Sequence, residues 1–418
     1  MENYTLILII MAVMIGASGI AEKLRLPVPV LLLLTGIGIG FMPTMPMLEL
    51  NPEIIMLAFL PPLLYDAAFN ISFKDFQTNI QTIGALSVGL VFFTTAGIAV
   101  VAHYMIPGMS WPLAFVLGAI LSATDAVAAV GITKGLNLSH KTLTILEGES
   151  LVNDASALIA YRFAVAAVTG VTFVFFKALL QFWIVLGGGF IVGFILAWAL
   201  ALVIRYFKNN DLVIIALILL MPFVTYLVAE HFHVSGVIAV VVLGLGISRL
   251  SREKFPERIK SQSRHFWDVI IFLLNGLIFL LIGLQFPIVL KQINPTQMWP
   301  YIGYAFIITL VCIIIRAVRV YLQQINLQMS FKKAFDGKSK RKFNEDSLFD
   351  TPTSLILTWS GMRGIVSLAI AIAIPVKLEN GLPFPMRNEI IFISIAVVLI
   401  SLLGQGLSLP WVVKKLSK

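Results

Sequence analysis

The sequence predicts an all-α polytopic membrane protein with about thirteen transmembrane helices. Of its 418 residues, 59% are hydrophobic and only 12% are charged, which is about half the charged share of an average soluble domain. Uncharged apolar stretches of about 20 residues, the length that a helix needs to cross a bilayer, recur along the whole chain. They are too long and too continuously apolar for the alternating strands of a membrane barrel, so we expect helices.

The predicted spans follow one another through short polar connections. Before the first span lies Glu2, and after it come Lys23 and Arg25. A secretory signal has its basic residues first, so we expect the first span to be retained. The expected spans are 4–21, 28–44, 53–70, 80–106, 111–134, 143–170, 175–206, 211–230, 234–250, 266–288, 298–323, 352–375 and 387–413.

The basic residues predict the orientation of the chain. Loops after odd-numbered spans hold 22 of the 30 Lys and Arg residues, whereas the opposite side holds four and the spans themselves hold four. Because basic loops stay in the cytoplasm, we expect a multi-pass protein of the cell membrane with its N-terminus outside and its C-terminus cytoplasmic. The net charge of +9 therefore indicates topology and not a nucleic-acid-binding surface. The single cysteine, Cys312, lies within a span, and no metal site or cofactor is predicted.

Thirteen spans divide into two six-helix repeats joined by one linking helix. The expected boundaries are 1–170 for the first repeat, 171–206 for the linking helix and 207–418 for the second repeat. An odd number of spans inverts the second repeat relative to the first. Polar residues interrupt the fifth span at 122–125 and its counterpart, the twelfth, at 360–364. Discontinuous helices at matching positions predict an ion site where they cross at the midplane.

Acidic and hydroxyl side chains inside spans are the candidates for that site, because charges in the bilayer are expensive and need a reason. Along a helix, Ser150 and Asp154 share one face, and Glu149 and Asn153 share the neighbouring face. The candidates are Asp66, Thr124, Asp125, Glu149, Ser150, Asn153 and Asp154. Oxygen ligands suit a hard cation such as Na⁺. Burial favours the protonated form of a carboxylate, so protons can compete with the cation for one site.

Three motifs carry a resemblance to a known family. The run Glu-Ser-Leu-Val-Asn-Asp at 149–154, with Ala-Thr-Asp-Ala-Val at 123–127 and Gly-Met-Arg-Gly at 361–364, resembles the monovalent cation:proton antiporters. The branch is that of the prokaryotic NhaP proteins and the animal sodium–hydrogen exchangers. The resemblance implies a homodimer that exchanges Na⁺, and also Li⁺, for protons and is not an enzyme.

The resemblance also implies roles for individual residues. Asp154 and Asp125 correspond to the essential ion-site carboxylates, with Thr124 and Ser150 as further ligands. Asp66 stands where the family usually has Glu, and Asn153 is expected to orient the site. The remaining roles are a buried bridge from Glu149 to Arg316, with Arg319 as the alternative partner, and a compensating charge at the helix crossing from Arg363.

Several alternatives stay open at this point. An antiporter of the same fold could carry K⁺ instead, and a channel or an intramembrane aspartyl protease using Asp125 and Asp154 are more remote. The two acids could also be structural, and Asp66 could face water at a helix end.

Since electrogenic relatives carry a second acid where this chain has Asn153, we expect one proton to exchange for one cation.

Overall fold

The computed structural model describes residues 2–24, 27–42, 52–133, 138–170, 175–207, 210–335, 350–378 and 381–416. These residues form sixteen α-helices, and their only β-type pairing is an isolated bridge between Lys377 and Pro383. The helices are α1 (Glu2–Leu24), α2 (Val28–Gly40), α3 (Pro52–Asn70), α4 (Phe73–Met105), α5 (Trp111–Ser122), α6 (Ala126–Thr133), α7 (His140–Val168), α8 (Phe175–Tyr206), α9 (Asp211–His231), α10 (Gly236–Lys254), α11 (Glu257–Gln292), α12 (Pro295–Phe335), α13 (Thr351–Trp359), α14 (Ile365–Ile372), α15 (Arg387–Ser401) and α16 (Leu407–Leu416).

The described helices confirm the predicted fold class and its thirteen spans. The fifth span consists of α5 and α6, and the twelfth consists of α13 and α14. A π-helical turn at Leu402–Gly406 joins α15 and α16 into the thirteenth. In the described part of the chain, seven helices are by themselves long and apolar enough to cross a membrane, and four shorter apolar helices accompany them.

Several helices are longer than their predicted spans. α4 begins at Phe73, α11 begins at Glu257 and α12 ends at Phe335, each beyond the apolar stretch. Hydropathy marks only the part of a helix that lies in lipid, whereas backbone hydrogen bonding continues into the polar ends. Serine side chains at Ser72 and Ser139 cap the starts of α4 and α7, which satisfies backbone N–H groups there. The predicted basic loop between spans eleven and twelve falls largely on residues 336–349, outside the described residues.

The helices pack as two bundles. The crossing bundle contains α4–α7 and α12–α16, and the flanking bundle contains α1–α3 and α8–α11. In the flanking bundle, Gly36 and Gly283 let α2 and α11 approach closely, because a Cβ on Gly283 would lie 2.8 Å from the Cα of Gly36. Each predicted repeat contributes three spans to each bundle. This arrangement agrees with the division at 170 and 206, which stays a prediction.

Candidate ion-binding site

The two broken spans cross inside the crossing bundle. At the crossing, the backbone N–H of Asp125 donates to the carbonyl of Met362 at 2.8 Å. Here α5 and α13 end and α6 and α14 begin. Helix ends carry partial charges, positive at the N-terminus and negative at the C-terminus. The crossing therefore brings two positive and two negative helix ends together in a buried place.

The carboxylate of Asp125 lies at the two positive helix ends, which are the starts of α6 and α14. Its Oδ1 accepts from the backbone N–H of Ala128 at 2.9 Å, and its Oδ2 accepts from that of Ile365 at 3.2 Å. The carboxylate thus caps both α6 and α14. Gly364 makes this close approach possible, because a Cβ at that position would overlap the carboxylate.

The guanidinium of Arg363 lies at the two negative helix ends, which are the ends of α5 and α13. Its Nε donates to the carbonyl of Leu121 at 3.1 Å, and its Nη1 donates to that of Gly361 at 2.8 Å. The side chain is only 1% exposed, so its charge needs these partners. The position is the one that the resemblance implies for a compensating charge.

Three side chains hold the α5–α6 break against α7. The hydroxyl of Ser150 donates to the carbonyl of Thr124 at 2.9 Å and accepts from the backbone N–H of Ala126 at 3.4 Å. The amide of Asn153 donates to the hydroxyl of Thr124 at 3.0 Å. The candidate oxygen ligands of Thr124 and Ser150 therefore lie together.

Asp154 lies beside this group in a different environment. It is buried on α7, and its Oδ1 has no hydrogen-bond partner among the described residues. The carboxylates of Asp125 and Glu149 are close enough to interact with it electrostatically. A buried carboxylate oxygen without a partner calls for an explanation, and a proton or a cation would supply one.

The candidate bridge of Glu149 goes to Arg316. The two side chains form a bidentate ion pair, with Nη2 at 3.0 Å from Oε2, and each is 1% exposed. The Nε of Arg316 donates to the carbonyl of Leu357 at 2.8 Å, so the pair joins α7, α12 and α13. Arg319 lies elsewhere, bonded to the carbonyl of Ala85 at 3.1 Å.

Asp66 is set apart from the other candidates. It is half-buried on α3 and accepts a hydrogen bond from Asn70 at 3.0 Å. Its electrostatic neighbours include Arg264, Asp268 and Glu147, and none of these is a candidate ligand. A direct ligand role for Asp66 stays a prediction.

Sequence reasoning missed Ser401 and Gln405, which also support the crossing. The hydroxyl of Ser401 accepts from the backbone N–H of Arg363 at 3.2 Å and donates to Gln405 Oε1 at 2.7 Å. The Nε2 of Gln405 donates to the carbonyl of Trp359 at 3.1 Å. The pair therefore connects the two sides of the α13–α14 break. A π turn places Gln405 here, and such turns are too rare inside helices to be expected from sequence.

An ion pair that the sequence did not predict connects the two bundles. The Nη2 of Arg162 on α7 lies 2.7 Å from Oε1 of Glu230 on α9. The same oxygen accepts from the backbone N–H of Gly236 at 3.3 Å, at the start of α10. By the predicted orientation, this contact lies at the outer ends of the helices.

Comparison with known proteins places these features in a family. The family model for the transmembrane sodium/hydrogen exchanger matches residues 8–415. A sodium, potassium, lithium and rubidium/H⁺ antiporter of Bacillus pumilus is 35% identical over all of this chain, which spans 62% of that protein's length. The Na⁺/H⁺ antiporter ApNhaP of Aphanothece halophytica is 32% identical over 99% of this chain and 75% of its own.

A solved structure supports the fold. The sodium proton antiporter MjNhaP1 of Methanocaldococcus jannaschii, determined at pH 8, matches with a TM-score of 0.72 over 100% of this chain and 99% of its own. Its sequence is 21% identical, so this likeness speaks for the fold alone. The family model, by contrast, covers nearly the whole chain and the crossing with its acids. The chain belongs to the sodium/hydrogen exchanger family.

Proposed function

We propose that the protein exchanges Na⁺, and also Li⁺, for protons across the cell membrane, and that Asp154 binds the two in turn. The observation that carries this proposal is the difference between the two midplane acids. Both oxygens of Asp125 accept backbone N–H groups, whereas Oδ1 of Asp154 has no hydrogen-bond partner within the described ranges. Asp154 is therefore the carboxylate that can take up and release a ligand without dismantling the helix ends.

The oxygens beside Asp154 complete the proposed cation site. Ser150 shares its face of α7, and the Ser150 hydroxyl holds the carbonyl of Thr124. Asp125 adds a second negative charge nearby, which favours a cation or a proton at Asp154. Since the two compete for one carboxylate, loading by Na⁺ releases a proton and loading by a proton releases Na⁺. Exchange follows from this competition together with access from alternate sides.

The proposal also includes stoichiometry, orientation and assembly. Asn153 is neutral and donates a hydrogen bond to Thr124. Of the adjacent residues Asn153 and Asp154, only Asp154 can therefore titrate, so one proton exchanges for one cation. The distribution of basic residues supports a cytoplasmic C-terminus. The exposed apolar side chains of α8, including Trp183 and Trp198, leave a broad surface for lipid or for a second copy in a homodimer.

One of the alternatives receives less support from the site, and another is left to the experiment. An aspartyl protease needs two carboxylates that share a catalytic water, but the oxygens of Asp125 are engaged in capping α6 and α14. Potassium transport is named for the Bacillus pumilus relative alongside sodium transport. The cation range is therefore part of the test.

The test is proton flux in proteoliposomes that contain the purified protein, with Na⁺, Li⁺ and K⁺ added in turn. We expect the wild type to respond to Na⁺ and Li⁺. Asp154→Asn should abolish the response while the protein still inserts and folds, because the amide keeps the shape and removes the titrating charge.

The matched control is Asp211→Asn, which makes the same chemical change at a half-buried carboxylate that pairs with the exposed Arg258 in the flanking bundle. It should exchange like the wild type. Wild-type flux from folded Asp154→Asn protein would refute the assignment of the site, and a response to K⁺ alone would refute sodium as the cation.

A further inference from the structure

A cavity of about 440 Å³ reaches Asp125 from one end of the molecule. Its walls come from the start of α2, from α6 and α11, and from α14 and α16. Pro27 and Ile132 lie near helix ends that the basic residues predict to be cytoplasmic. The cavity therefore lies on the cytoplasmic approach to the crossing.

Of the described side chains that line this cavity, only two are polar. One is Asp125 from the crossing bundle, and the other is Asn275 from α11 in the flanking bundle. Apolar walls that include Phe272 and Phe279 surround them. Among the described side chains that line the cavity, these two offer the oxygens that could replace water around an entering cation.

Asn275 is suited to that role because its amide oxygen is not engaged. Its Oδ1 is buried and has no hydrogen-bond partner among the described residues. An amide oxygen is a neutral, hard ligand of the kind that Na⁺ accepts. Buried polar atoms are nearly always paired, so an unpaired oxygen on a side chain that lines a cavity together with the carboxylate-bearing Asp125 points to a ligand.

We propose that Asn275 is a specificity-determining ligand that coordinates the cation on the cytoplasmic side as it moves to and from the site at Asp125 and Asp154. This inference rests on the proposed function and adds a residue to it. The candidate ligands on α5–α7 belong to the crossing bundle, whereas Asn275, like the candidate Asp66 on α3, belongs to the flanking bundle.

Two properties distinguish this role from a purely structural one. A neutral amide does not titrate, so Asn275 selects for the cation without contributing to the binding of protons. Its loss should therefore raise the KM for Na⁺ and leave the pH dependence of exchange unchanged. Because the cavity lies on the cytoplasmic approach, the KM should rise on that face only.

The experiment compares everted and right-side-out membrane vesicles, which expose the cytoplasmic and the outer face respectively. Asn275→Leu replaces the amide by an apolar group of similar size. We expect the KM for Na⁺ to rise roughly tenfold in everted vesicles, the effect of losing one good polar contact to a charged ligand. In right-side-out vesicles the KM should stay at the wild-type value. Asn275→Asp keeps an oxygen in place and should restore a KM at or below the wild-type value.

The matched control is Asn79→Leu on α4. Asn79 also has a buried Oδ1 without a partner among the described residues, but it does not line the cavity. Its replacement should leave the KM unchanged on both faces. If Asn275→Leu does not fold, Asn275→Ala provides the same comparison.

Each result decides a different point. An unchanged KM in Asn275→Leu, an equal rise on both faces, or an equal rise in Asn79→Leu would overturn the inference and leave the proposed function standing. A wild-type protein that exchanges no cation for protons would overturn both.

Discussion

At the scale of residues, Asp125 and Asp154 carry the same functional group and have opposite surroundings. Asp125 accepts from Ala128 and Ile365 and is part of the architecture. In the part of the chain that the structure describes, Oδ1 of Asp154 has no hydrogen-bond partner. Hydrogen bonds to a charged group are worth about 1.5–3 kcal/mol each, so the engaged carboxylate is the costly one to disturb. A carboxylate can exchange a proton for a cation most readily when its oxygens are not already engaged in hydrogen bonds.

The bridge between Glu149 and Arg316 should be structural. We expect Glu149→Ala to destabilise the folded protein by about 3–5 kcal/mol, because it leaves Arg316 buried without its charge partner. Thermal unfolding of the purified protein in detergent measures this loss.

A double variant, Glu149→Ala with Arg316→Met, provides the control. It removes both charges, and we expect it to recover part of the lost melting temperature. If Glu149→Ala melts like the wild type and yet transports nothing, Glu149 belongs to the ion site and the bridge has no structural role.

At the scale of elements, the two breaks depend on a close contact that only glycine allows. The break at 360–364 brings Gly364 against the carboxylate of Asp125, where a Cβ would overlap it. The same break brings Gly361 against Arg316, where a Cβ would overlap the arginine side chain. Glycine is therefore required at 364 by the nearby carboxylate of Asp125 and at 361 by the nearby side chain of Arg316.

We expect Gly364→Ala to reduce exchange at least tenfold and to lower the melting temperature. The added methyl group must displace Asp125 and weaken its two hydrogen bonds to helix N-termini, each worth about 1.5–3 kcal/mol. Sodium-driven proton flux and thermal unfolding measure the two effects.

Gly303→Ala is the matched control, because a Cβ at this helical position meets no atom within 4 Å. It should behave like the wild type. Normal flux and stability in Gly364→Ala would show that Asp125 does not need its present position.

The sequence predicted the breaks because polar residues and glycine interrupt otherwise apolar spans. It did not predict the π turn at Leu402–Gly406, because π turns are rare inside helices and the run Leu-Leu-Gly-Gln-Gly also fits an ordinary span. It also did not identify Asn275, because one amide inside a long apolar span looks like an ordinary tolerated polar residue. The cavity that Asn275 lines forms only when α11 and α6, which are far apart in the sequence, come together in the fold.

Partner choice was the other limit of sequence reasoning. Arg316 and Arg319 are three residues apart on α12, and the spacing alone left both open as partners of Glu149. In the structure, Arg316 faces the interior at 1% exposure, whereas Arg319 bonds to the backbone of α4 and lies over the ring of Phe93 at 4.9 Å. Packing between helices far apart in the sequence decides such choices.

At the scale of the whole molecule, the two bundles are connected differently at their two ends. Arg162 and Glu230 join them at the predicted outer end, and the cavity separates α11 from α6 towards the cytoplasm. An ion pair thus joins the two bundles at one end, and a cavity lies between them at the other. Relative movement of the bundles would need to break the ion pair before the outer end opens.

The complete cycle should move no net charge. With Asn153 neutral, one proton exchanges for one cation, so the membrane potential, worth about 2.3 kcal/mol per charge per 100 mV, should neither drive nor oppose it. The measurement is sodium-driven proton flux in proteoliposomes with the potential set by potassium and valinomycin.

We expect the same rate and end-point at every imposed potential. A shift in either with the potential would reveal net charge movement and a second titrating group, for which Asp66 and Asp125 are the candidates. Asn153→Asp alone should not make the cycle electrogenic, because a second acid also needs its own route for protons.

The crossing of the broken helices has a consequence for biosynthesis. Asp125 bonds to a backbone group 240 positions later in the chain, and Glu149 pairs with an arginine 167 positions later. At roughly 5–20 residues per second of translation, the first of these partners emerges about 12–48 s after the acid. The early spans must therefore enter the bilayer with their charges unsatisfied, and the centre of the protein is completed only when the last spans arrive from the ribosome.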